Sequence, residues 1–231
     1  MSRAATRACV LLFARDPAAE ETAKGLAGGR CLFDFTRRRI IKAVAGLAGV
    51  DLIVAGSGAG DLLQRGAGFG ERLLNAFQDA RALGFDRIVA VPIDTPQIDR
   101  CHLREALLRL GTHEVVLGRS PDGGVYLIGA RGDVAGLFEG VRWRSSSVGA
   151  DLIANAPDAV LLAEELADVD GRADIVSLRS SVAQDPELST ILGWLLSAPA
   201  THSPGSDEVP DTGPASRLPI SRAPPFSPSP Y

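Results

Sequence analysis

Histidine and cysteine are scarce in this chain, with three of each among 231 residues. His102, His113 and His202 have no partner at metal-ligand or catalytic-triad spacing, so surface or structural roles fit them best. Cys9, Cys31 and Cys101 are odd in number and widely spaced, which matches neither a zinc site nor a disulfide framework and fits reduced thiols. A basic excess is also lacking. Lys plus Arg total 24 against 28 Asp plus Glu, a net charge of -4, so a nucleic-acid partner is not expected. No apolar run approaches the roughly 18 residues that span a bilayer. The run Ala8 to Ala14 is too short and has no cleavage-type site behind it, so it reads as a buried strand rather than a signal peptide. A cytoplasmic protein without a membrane partner is the expectation. There is no Walker A pattern and no G-x-S-x-G elbow. Gly56-Ser57-Gly58-Ala59-Gly60 follows a strand-like run, but the third glycine of a dinucleotide fingerprint would fall on Asp61 or Leu63. A flexible loop is the better reading, and it sets aside a dinucleotide-dependent oxidoreductase.

What the chain does have is an alternation of strand-like and helix-like segments. Continuous apolar stretches at 8–14, 50–55 and 86–93, with shorter ones at 114–118, 125–130 and 159–163, read as strands. Helical periodicity falls at 33–47, 69–83, 100–110, 145–155 and 171–196. Asp99 is placed to cap the helix at 100, and residues 15–30 read as a polar loop. Alternation of this kind predicts an α/β fold with a mainly parallel sheet, whose ligands bind beyond the C-terminal strand ends. Nine of the 15 prolines lie in the last 35 residues, where apolar side chains are few. That divides the chain into a domain over 1–196 and a disordered Pro/Ser-rich tail over 197–231.

Four stretches carry candidate chemistry. Asp122-Gly123-Gly124 sets a carboxylate on a double-glycine turn before the run Val125 to Gly129. Asp94-Thr95-Pro96 follows the strand at 86–93. Two carboxylates at strand ends suit a hard cation such as Mg²⁺ shared with a substrate phosphate; each also suits simple capping of a turn. Asp168-Val169-Asp170 is a further acidic site, though Asp170 would serve equally as the N-cap of the helix after it. Gln64-Arg65-Gly66-Ala67-Gly68-Phe69-Gly70-Glu71-Arg72 leads into a helix, whose N-terminal N–H groups attract anions and whose Arg72 would clamp a phosphate.

In their order these motifs resemble the bacterial selenodomain-associated transferases, relatives of the nucleotide-diphospho-sugar transferases and of phospholactate guanylyltransferase. The resemblance covers about residues 8 to 176. It rests on Phe13-Ala14-Arg15-Asp16-Pro17, Gly68-Phe69-Gly70-Glu71-Arg72-Leu73, Asp94-Thr95-Pro96, Gly118 through Gly129, Trp143-Arg144-Ser145-Ser146 and Asp168-Val169-Asp170. It implies a three-layer α/β/α sandwich of the glycosyltransferase-A type and a glycosyl or nucleotidyl transferase. A nucleotide or nucleotide-sugar substrate would be cradled by Arg15, Lys24, Gly68, Gly70 and Arg72. Asp94 and Asp170 would hold Mg²⁺ or Mn²⁺. Asp122, with Gly123 and Gly124, would line the acceptor side and act as catalytic base or orienting group. The resemblance breaks in the first loop. Where the family continues Pro-Gly-Arg-x-Lys-Thr-Arg-Leu, this chain reads Pro17-Ala18-Ala19-Glu20-Glu21-Thr22-Ala23-Lys24. Glu20 and Glu21 would repel a phosphate. Either Lys24 takes over the cradle with both glutamates facing outward, or the site has decayed to a non-catalytic binding protein.

Overall fold

The computed structural model describes residues 7–58 and 60–197. Apart from Ser197, the expected tail at 197–231 lies outside the described residues.

Seven strands form one sheet: β1 (Ala8–Phe13), β2 (Val50–Gly56), β3 (Leu62–Leu63), β4 (Arg87–Val91), β5 (Val115–Arg119), β6 (Val125–Arg131) and β7 (Val160–Leu161). Their order is β3-β2-β1-β4-β6-β5-β7. Four of the six pairings are parallel, and β6 runs antiparallel to both of its neighbours. The sheet is thus mostly parallel, as expected. The exception arises because β5 and β6 are joined by a tight turn at residues 120–124, which allows only an antiparallel hairpin.

Side chains along β1 alternate between two apolar layers. Ala8, Val10 and Leu12 enter one; Cys9, Leu11 and Phe13 enter the other. On the first face lie α1 (Pro17–Lys24), α2 (Arg30–Ala45), α4 (Arg100–Arg109), α7 (Arg172–Ser181) and α8 (Pro186–Ser197). On the second lie α3 (Phe69–Ala82), α5 (Ala135–Phe138) and α6 (Val148–Asn155). The result is a three-layer α/β/α sandwich with both sheet faces covered, which is why β1 is apolar at every position.

The structure corrects the sequence reading in four places. Residues 17–24 are a helix rather than loop: Asp16 accepts from Ala18 N at 3.0 Å, Pro17 occupies the first helical turn, and Gly25 closes the end in the left-handed region. The helix expected over 171–196 is two, broken where Asp185 accepts from Leu188 N at 3.0 Å ahead of Pro186. Its first half begins at Arg172, capped by Asp174, not Asp170: Asp174 accepts from Asp170 N and Gly171 N at 2.9 and 2.8 Å. The glycine-rich segment after β2 is a loop, as expected, but a short strand that the pattern does not announce lies just beyond it. Asp61 folds back to accept from Val54 N at 2.8 Å, and β3 follows as an added edge strand. Asp99 caps α4 as expected, accepting from Cys101 N at 2.7 Å.

Candidate active-site cleft

A cleft of about 600 Å³ opens along the C-terminal ends of β1 and β4. The antiparallel β6 begins at this same edge, so the Asp122 turn and the loop after β4 meet across it. Arg15, Lys24, Arg72, Asp94, Asp122, Gly124 and Asp170 all line the cleft. Gly68, Gly70 and Gly123 do not.

One wall is acidic. Val169 N donates to Asp94 O at 2.8 Å, which lays residues 168–170 alongside the end of β4. Val169 is fully buried. In extended chain, neighbours on either side of a buried residue project the opposite way. Asp168 and Asp170 therefore flank Asp94, with one oxygen from each of the three within 4.8 Å of the others. The sequence names Asp168-Val169-Asp170 as an acidic stretch but assigns only Asp94 and Asp170 to a metal; the position of Asp168 two residues before Asp170, around an apolar residue, is the signal that would have added it. Thr95 Oγ1, beside Asp94 and fully buried, has no hydrogen-bond partner among the described residues.

Lys24 enters this cluster from the last turn of α1. Its Nζ donates to Asp94 Oδ2 at 2.8 Å and to Asp170 Oδ1. Burial alone would lower the Lys24 pKa, but the two carboxylates outweigh it and hold it above the usual lysine value. Asp168 has no such partner among the described residues. Burial, then the charges of Asp94, Asp122 and Asp170, push its pKa up to about 6.

An aspartate raised in this way costs stability once ionised. The penalty is absent below the unfolded pKa near 3.8, grows as pH rises, and is complete above about 6. Asp168→Asn is therefore expected to stabilise the metal-free protein at pH 7.5 by about 1 kcal/mol after discounting for solvent screening. Thermal melts should show variant and wild type converging near pH 4; a variant less stable at pH 7.5 would refute the repulsion.

The altered first loop resolves into two different outcomes. Glu21 is turned away from the cleft, its Oε1 accepting from Gly28 N at 2.6 Å. Glu20 is the opposite of outward-facing: it is buried, lines the cleft, and receives Arg15 Nη1 at 3.3 Å. The guanidinium draws it in.

The other wall is aromatic and basic. Phe13, Phe69 and Trp143 line the cleft in edge and tilted contacts, with centroids 5.6 and 5.4 Å apart. Gly70 is what admits Trp143, since a Cβ there would stand 2.1 Å from its indole nitrogen. Trp143 and Arg144 enter the sequence reading only as family motif, because the contact of Trp143 with α3 joins residues some seventy positions apart. Asp122 has one oxygen committed to its own turn, accepting from Gly124 N at 2.9 Å. The turn is anchored from behind, where Gly149 N donates to Gly123 O at 2.9 Å.

Comparison with known proteins agrees with this architecture. A model of the family described as "Uncharacterized protein conserved in bacteria (DUF2064)" matches residues 37–145, just under half of the chain. A crystal structure from Desulfovibrio desulfuricans G20, assigned as a nucleotide-diphospho-sugar transferase, superposes with a TM-score of 0.70 at 22% identity. The match covers 83% of this chain and 97% of that one. CMP:2-keto-3-deoxy-manno-octonic acid synthetase, solved with CTP, matches at a TM-score of 0.51 and 14% identity, over 78% of this chain and 100% of that one. No curated protein matches by sequence. This chain shares its fold with these two structures. Among the described residues no helix is long and apolar enough to cross a membrane.

Proposed function

We propose that the protein is a metal-dependent transferase that takes a nucleotide sugar or nucleoside triphosphate and moves its glycosyl or nucleotidyl group to a small acceptor. The observation that carries this is the cluster of Asp94, Asp168 and Asp170 at the strand-end cleft of such a fold. The donor set fits Mg²⁺ or Mn²⁺: all ligands are hard oxygens, and five carboxylates line the cleft against the four cations Arg15, Lys24, Arg72 and Arg144. The unpartnered Thr95 oxygen adds a polar group at the same place. A bound ion would neutralise phosphate charge and stabilise a leaving diphosphate.

The remaining chemistry falls to side chains. Asp94 and Asp170 hold the ion, with Asp168 completing the charge. Arg15, Lys24 and Arg72 offset the phosphates, and the Gly68–Gly70 segment presents the α3 N-terminus behind them. Phe69 and Trp143 give a nucleotide a flat apolar wall. The uncommitted oxygen of Asp122 orients the acceptor hydroxyl or takes its proton, while Gly123 and Gly124 keep that turn narrow.

The test is a thermal-shift screen of nucleoside di- and triphosphates and nucleotide sugars, with and without Mn²⁺. A ligand at 100 times its dissociation constant should add about 2.7 kcal/mol, or roughly 5–10 °C in a domain of this size. The second reading, a catalytically decayed protein on the same fold, is favoured by one feature: Glu20, on α1 at the cleft, takes up Arg15. A screen with no shift for any nucleotide would decide for it.

A further inference from the structure

The two walls of the cleft differ in how their charge is satisfied. Lys24 is paired with Asp94 and Asp170, and Arg15 with Glu20. Arg144, across the cleft, makes no ion pair or hydrogen bond among the described residues. Arg72, in the adjoining first turn of α3, reaches only Ala67 O, at 3.5 Å.

Arg144 also has an unusual backbone. It is the one non-glycine with positive φ among the described residues, at 63°. Such a conformation crowds any residue that has a Cβ and favours glycine. The strap around Arg144 is fixed on both sides. Arg142 pairs with Asp151 through Nε at 3.0 Å and Nη2 at 2.7 Å, and Trp143 is wedged between Phe69 and Phe138. Ser145 Oγ donates to Arg142 O at 2.6 Å, and Ser146 O packs where Gly123 lacks a side chain. Each neighbour thus serves the strap's own structure. Arg144 serves none of it, yet it stands where the backbone would prefer glycine. Arg144 is exposed and lines the cleft, so its guanidinium is open to a ligand there, and backbone strain of this kind gathers at ligand sites.

We propose that Arg144 recognises an oxyanion of the substrate, a phosphate or carboxylate group, on the wall opposite the acidic cluster. The proposal rests on the substrate-binding reading of this cleft given above. Guanidinium pairs planar or tetrahedral oxyanions through two parallel hydrogen bonds. The anion has two sources: the diphosphate of the donor nucleotide, or a phosphate or carboxylate carried by the acceptor.

The experiment compares wild type, Arg144→Gly and Arg144→Gln by calorimetric titration. One arm uses CDP, GDP and UDP with saturating Mg²⁺. The other uses inorganic phosphate and malonate, as stand-ins for an acceptor's anion, with and without the nucleotide. Both variants are expected to bind at least tenfold more weakly in one arm, and the arm affected names the source. Arg144→Gly should melt no lower than wild type, since it relieves the backbone, whereas a structural arginine would leave it less stable. Unchanged affinity in both arms, or a lower melting temperature for Arg144→Gly, overturns the proposal. Wild type that binds phosphate through Arg144 but no nucleotide would sink the transferase reading and leave this one standing; wild type that binds neither would sink both.

Discussion

Mn²⁺ affinity is expected to fall by about two orders of magnitude in Asp94→Asn and to rise about tenfold in Lys24→Met. The opposite signs follow from one geometry. Lys24 Nζ lies 2.8 Å from Asp94 Oδ2 and also touches Asp170, so the ammonium stands among the oxygens a cation would use. Both groups of the Lys24–Asp94 pair are largely buried, with side chains 14% and 17% exposed, so their attraction is only partly screened. A divalent ion must displace the ammonium or share its ligands with it. Removing the ammonium leaves three carboxylates in mutual repulsion, and relief of that repulsion is added to the ion's binding energy; tenfold corresponds to about 1.4 kcal/mol. Asp94→Asn instead removes a cluster carboxylate whose side chain is 17% exposed, against 65% for Asp170. Titration followed by Mn²⁺ electron paramagnetic resonance reads both variants without needing a substrate. Lys24→Met affinity within twofold of wild type would show that the lysine does not compete.

Gly123→Ala is expected to be the most damaging single-methyl change around the cleft, costing about 3 kcal/mol or more. Two costs add at this position. Its φ is 91°, outside the range that residues with a Cβ adopt at ease. The new Cβ would also stand 2.1 Å from Ser146 O. That atom is backbone, so relief requires moving the strap, which is pinned through Gly149 N to Gly123 O. Overpacking alone costs about 1–3 kcal/mol, and the backbone strain is of similar order. A fall in melting temperature of about 10 °C should result. A loss under 2 °C would mean that the turn and the strap move independently.

The fold was legible because its signals are local. Apolar runs at β1, β2 and β4 and periodic stripes at α2 and α3 each announce themselves within a few residues. The misses were of two kinds. The helix at 17–24 has good capping chemistry in Asp16, Pro17 and Gly25 but almost no apolar stripe, since it buries only Pro17 and Glu20. The direction of β6 is set by turn length, which hydrophobic pattern does not encode. In the cleft, carboxylates at strand ends stood out as residue types. The partner of each charge did not: that Lys24 reaches Asp94, that Glu20 turns inward to Arg15, or that Trp143 fills the space Gly70 leaves, are facts of three-dimensional meeting.

The antiparallel β6 has a consequence for the order in which the cleft assembles. Its Asp122 corner is a hairpin turn, closed by Ser120 N to Gly124 O, and its residues find one another across a few bonds. The opposite corner needs Lys24 to meet Asp94 across 70 residues and Asp170 across 146. Closing the longer loops costs more chain entropy and slows their formation. A chain still emerging from the ribosome can build the first corner well before Asp170 has been synthesised. The acidic corner is thus a late product of folding, and a protein trimmed before residue 168 would keep most of its sheet while losing two of its three clustered carboxylates.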